Sequence, residues 1–135
     1  MNIFKKKNKK GLTLFDYLRP NDAEYVRTLI VKDYKLKRTF QRSYRKYMVW
    51  KKRHPRGREL YYSTASLYAG RIDKRLVELN VNHYLIGLIT LAFKFWISNL
   101  SVNIFIEYAK FYHHEYMRSV FGNKCNDWSY GDENI

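Results

Sequence analysis

One cysteine, two prolines and six glycines are all that the 135 residues offer of the residue types that staple or bend a chain. The solitary Cys125 excludes an intramolecular disulfide framework and any multi-cysteine zinc site, and between Asn123-Lys124 and Asn126-Asp127 it reads as an ordinary exposed thiol. The glycines at 11, 57, 70, 87, 122 and 131 form neither a phosphate loop nor a dinucleotide fingerprint. No cysteine stands beside a credible base and no serine occupies a glycine-flanked elbow, so no catalytic residue is nominated and the chain is read as a non-enzyme. His113-His114-Glu115 lacks the one-face spacing of helical metal ligands, because consecutive helical residues diverge by about 100°. No metal, cofactor or small-molecule substrate is expected.

Carboxylates are also scarce: 12 Asp and Glu face 26 Lys and Arg, for a net charge of +14. Residues 1–58 carry 19 bases against 4 acids, whereas residues 59–135 carry 7 against 8, so the whole excess is amino-terminal. Charge of one sign at this density repels itself, and an anionic partner relieves the repulsion. Hydrophobic residues make up 46% of the chain and aromatics 18%, enough apolar surface for a folded core, and the length suits one domain.

Met1-Asn2-Ile3-Phe4 leads into Lys5, Lys6, Lys7, Lys9 and Lys10, and no long apolar run precedes Asp16, so a secretory signal is not expected; nor is an Arg/Ser-rich transit peptide. Phe, Tyr, Met, Ile, Asn and Lys total 58 residues against 24 of Gly, Ala, Arg and Pro, a balance typical of AT-rich coding. A mitochondrial, organelle-encoded product in the matrix or inner membrane is the favoured setting, with the cytoplasm of an AT-rich bacterium as the alternative.

Apolar periodicity predicts an all-α chain, since no stretch sustains alternation of period two. Residues 1–20 are expected to be a basic tail with one short helical turn near Thr13 to Leu18, and residues 21–122 a single domain. Asn21 and Glu24 form a capping-box pattern, after which no Gly or Pro occurs until Pro55. Tyr25, Leu29, Leu36, Phe40, Tyr44 and Tyr47 then recur at helical spacing, which predicts one long basic amphipathic helix over about 22–53. Pro55 and Gly57 break it. A second helix is expected over about 59–79, with Tyr61, Ala65, Tyr68, Ile72, Leu76 and Leu79 recurring at spacings of three and four, and a long apolar third helix over about 82–121. Residues 123–135 form a polar tail in which Trp128 and Tyr130 could anchor on a partner or on the chain itself.

Tyr84 to Ile106 holds one charge, Lys94, among 23 residues, long enough to span a bilayer. Gly87, Thr90, Lys94, Ser98 and Ser101 form a narrow polar stripe along it, so protein neighbours or lipid must bury the remainder.

These features predict a non-catalytic RNA-binding structural component of a large ribonucleoprotein, with an organellar ribosome as one setting. Its partners would be RNA and neighbouring proteins. The expected phosphate contacts are Lys5, Lys6, Lys7, Lys9 and Lys10, then Arg38, Arg42, Arg45, Lys46 and Arg53 along the first helix, with Arg56 and Arg58 on the following loop. One alternative is an accessory subunit of a mitochondrial or bacterial membrane complex, with a transmembrane helix near 84–106. Another is a small DNA-binding or inhibitor protein of a mobile element. No family resemblance emerges from these residues.

Overall fold

A computed structural model describes residues 2–121, and the described residues contain five α-helices and no strand. Cys125, Trp128 and Tyr130 lie outside the described residues. Helix α1 spans Pro20–Lys32, α2 Tyr34–Arg53, α3 Tyr61–Glu78, α4 His83–Ile97 and α5 Val102–Phe121, with 3₁₀ turns at Ile3–Lys5, Leu14–Tyr17 and Arg58–Leu60.

Helix α1 starts earlier than the Asn21 cap predicted. Pro20 occupies its first turn, where a missing N–H is harmless, and the Arg19 guanidinium meets Asp22 at 2.8 Å. The long basic helix expected over 22–53 is two helices. The Asp33 N–H donates to the Leu29 carbonyl at the end of α1, while its carboxylate accepts the Leu36 N–H at the start of α2. Asp33 therefore ends one helix and caps the next. Arg75, 42 residues further on, grips the same carboxylate with two nitrogens at 2.7 and 2.9 Å and ties the junction to the end of α3.

The apolar third helix is also broken, and this corrects the reading of Tyr84 to Ile106 as one span. At the end of α4, Asn99 adopts a left-handed backbone (φ 59°), the Leu100 N–H returns to the Phe95 carbonyl and the Asn99 N–H to that of Trp96. This is a Schellman stop with asparagine in the position glycine usually takes. Asn80 (φ 58°) ends α3 in the same way. Ser101 then caps α5 through its hydroxyl to the Ile104 N–H. With 15 residues, α4 is about 22 Å long, and none of the described helices is long and apolar enough to cross a membrane.

What buries α4 is its own chain. Phe93 meets Phe40 of α2 edge to face, Trp96 stacks on Tyr44, and Phe95 packs against Tyr62 of α3 and Phe105 of α5. Two members of the polar stripe are absorbed by packing: the Thr90 hydroxyl donates back to the Ile86 carbonyl, and Gly87 leaves room for Tyr112 of α5. Lys94 is half-buried beside the Tyr62 ring, and burial holds its ammonium below the usual lysine range.

Residues 2–18, expected to be a tail, contribute to this core. Ile3, Phe4, Leu14, Phe15, Tyr17 and Leu18 are buried, and Phe4 packs on both Phe15 and Phe40. Each such side chain stabilises the fold by about 1.5–3 kcal/mol on area grounds, which outweighs the lysine run's preference for solvent.

Candidate nucleic-acid interface

The lysine run is held in place by one asparagine. Asn8 Nδ2 donates to the Tyr17 hydroxyl (2.9 Å) and the Trp96 carbonyl (3.0 Å), while its Oδ1 accepts the N–H groups of Lys10 and Leu12. Gly11 completes the turn at φ 77°, a conformation that suits a residue without Cβ. Trp96 Nε1 donates to the Leu12 carbonyl, and the Lys9 N–H donates to Asn99 Oδ1 at 2.8 Å. Asn99 thus both stops α4 and pins Lys9. The effect is to lay Lys6–Lys9 alongside α2, with the Lys6 ammonium 5.4 Å from the centre of the Tyr44 ring.

Helix α2 has nine basic side chains and no acidic one. Where residues 3–9 run beside it, three adjoining depressions form a continuous furrow. The first lies among Ile3, Lys6, Tyr44, Arg45, Met48 and Lys52. The second shares Lys6, Tyr44 and Met48 and adds Lys7, Lys9 and Lys51. The third shares Lys9, Lys51 and Asn99 and opens into a cavity of about 760 Å³ under the α2–α3 loop, walled by Arg56, Arg58, Tyr61 and Tyr62. Glu59 is the one carboxylate among the residues lining the furrow.

The electrostatics are one-sided. Among the described residues, none of Lys7, Lys9, Arg45, Lys51, Lys52, Arg56 and Arg58 forms an ion pair. The ion pairs form elsewhere, as in Arg27–Glu24, Arg75–Asp33 and Lys110–Glu107. Burial and the positive charge of Lys9 together hold the Lys51 ammonium below the ordinary lysine range. A phosphate oxygen placed there would restore what burial and like charge take away.

Of the predicted contacts, Lys6, Lys7, Lys9, Arg45, Arg56 and Arg58 come together on the furrow. The rest do not. Lys5 borders a separate cavity with Phe15, Arg27 and Tyr34, Arg38 lies 5.8 Å from the Tyr34 ring, and Arg42 faces α3 near Lys74 and Glu78. Lys10, Lys46 and Arg53 are exposed outside the furrow. Lys51, Lys52, Tyr61 and Tyr62 belong to the furrow but were absent from the predicted set, as were the positioning residues Asn8 and Asn99. An asparagine interrupting a lysine run just before Gly11 is a turn signal that could have marked Asn8.

The histidine pair lies elsewhere, with Tyr84 Oη 2.9 Å from His113 Nδ1. Among the described residues no three His, Cys, Asp or Glu side chains gather as metal ligands. Compared with family models, curated proteins and solved structures, the chain matches none.

Proposed function

We propose that this protein is a non-catalytic, RNA-binding structural component of a ribonucleoprotein assembly, holding phosphates along the furrow between its amino-terminal segment and α2. The observation that carries the reading is the convergence of six cations predicted from sequence, together with Lys51 and Lys52, on one surface with a single carboxylate. Nucleic-acid phosphate is the counter-charge such a surface fits, and binding would release condensed counterions.

Large apolar side chains outside the furrow support a second, protein-facing role. Leu67 on α3 and Phe111 on α5 are 73% and 68% exposed, and Ile104, Tyr108, Val120 and Phe121 extend the apolar exposure of α5. In an assembly these would meet neighbouring proteins. An organellar ribosome is the setting we propose; the AT-rich composition suits an organellar genome as it does that of an AT-rich bacterium.

Lysine acetylation read by mass spectrometry, with and without RNA, tests the proposal. Protection of Lys7, Lys9, Lys51 and Lys52, with Lys74 and Lys110 unchanged, is the expected outcome. Uniform reactivity would overturn it, and stronger protection by duplex DNA at matched salt would replace RNA with DNA as the partner.

A further inference from the structure

We infer that the cavity beneath the α2–α3 loop seats one unpaired nucleotide of a single-stranded RNA, its phosphate among Lys9, Lys51, Arg56 and Arg58 and its base against the tyrosine wall. The inference rests on the RNA-binding reading above and narrows it to single strands.

Three observations support it. The third depression is much roomier than the second, about 760 Å³ against 260 Å³, so the furrow widens from a track into a chamber. Its walls also change character. Where the second depression adds lysines, this one adds two guanidinium groups suited to paired phosphate oxygens, two half-buried tyrosines and a single carboxylate, Glu59, which the four cations outnumber. The Lys51 ammonium sits 5.2 Å from the Tyr61 ring centre, at the boundary between the cationic and aromatic walls. A ligand complementary to both walls carries an anion and a flat ring in one unit.

A base within a duplex cannot present that combination, because it is stacked and paired. An unpaired one can, and stacking on aromatic side chains is how sequence-tolerant single-strand binders hold bases. The chamber is also firmly built. Tyr62 is braced edge-on by Phe95, Tyr61 by Trp50, and Trp50 in turn stacks on His54 at 5.0 Å. Lys9 is fixed through its main chain to Asn99.

The test measures affinity of the full chain for a single-stranded RNA, the same sequence as a duplex, and the same single strand with abasic residues, at one salt concentration. The intact single strand should bind most tightly, and the abasic strand about five- to a hundredfold more weakly, the range for one stacked base. Tyr62→Leu should lose a similar factor on the intact strand and nothing on the abasic one, while Tyr62→Phe keeps wild-type affinity. A misfolded Tyr62→Leu would lose both strands equally. For that case exposed Lys9→Gln is the second variant, expected to lower the single-strand salt slope by about 0.7. Equal, salt-dependent binding of all three ligands would overturn the nucleotide seat and leave RNA binding intact. Salt-insensitive binding of every ligand would overturn the RNA-binding reading itself.

Discussion

Replacing Asn8 with alanine should loosen the lysine-bearing segment without removing a charge. The side chain makes four hydrogen bonds: to the Tyr17 hydroxyl, to the Trp96 carbonyl, and from the N–H groups of Lys10 and Leu12. The exposed Lys10 N–H regains water in the variant, so three bonds count. At about 0.5–1.5 kcal/mol each, with partial replacement by water, the loss is about 2–3 kcal/mol. For a chain of this size that corresponds to a fall in Tm of roughly 6–15 °C. Differential scanning calorimetry reads the shift, with Lys10→Gln as a control that should leave Tm unchanged because Lys10 is exposed. RNA affinity should fall in Asn8→Ala even below its new Tm, since Lys7 and Lys9 lose their fixed approach to α2. A Tm within about 2 °C of wild type would refute the claim that Asn8 holds this segment.

Other expectations follow from single positions. A Cβ at Gly87 would lie 2.1 Å from the Tyr112 hydroxyl oxygen, so Gly87→Ala must displace that ring from the His83 and Tyr84 carbonyls it reaches at 3.1 Å. Overpacking of this kind destabilises by about 1–3 kcal/mol, and chemical denaturation should show Tyr112→Leu recovering part of it. The Arg75 guanidinium, through its hydrogen bonds, holds the Asp33 carboxyl below its ordinary value. The stability this contributes is fully present above the unfolded carboxyl pKa of about 3.9 and lost as pH falls through the lower folded value. Asp33→Asn keeps a cap-forming residue, so its stability profile should match wild type in shape at neutral pH and be flatter below about pH 4.

The helical class was legible from periodicity, and the break at Pro55 and Gly57 from residue type alone. The break at Asp33 was not, because an N-capping aspartate inside a basic periodic run carries no Gly or Pro to announce it, and its partner Arg75 is remote in sequence. Asn99 was hidden for a related reason: asparagine tolerates the left-handed backbone without being restricted to it. The stripe from Gly87 to Ser101 was visible, but the use of Gly87, admitting Tyr112, depends on where α5 returns. Lysines dominated the reading of residues 1–20 and obscured the six buried apolar residues among them. At the candidate site, the cations could be read off as residues, whereas the furrow that joins Lys9 to Lys51 and Arg56 exists only once Asn8 and Asn99 fold the segment back.

Measuring Kd for a single-stranded RNA as a function of salt concentration tests the central claim most directly. Full engagement of Lys6, Lys7, Lys9, Arg45, Lys51, Lys52, Arg56 and Arg58 sets a ceiling near −6 for the slope of log affinity against log salt, at about −0.7 per phosphate neutralised. We expect a slope of about −4 to −6, reduced by about 2 when Lys9, Lys51 and Arg56 are replaced by glutamine, and unchanged when Lys74, Lys110 and Arg118 are replaced instead. A slope near zero, or one that the two triple variants lower equally, would contradict a phosphate-binding furrow.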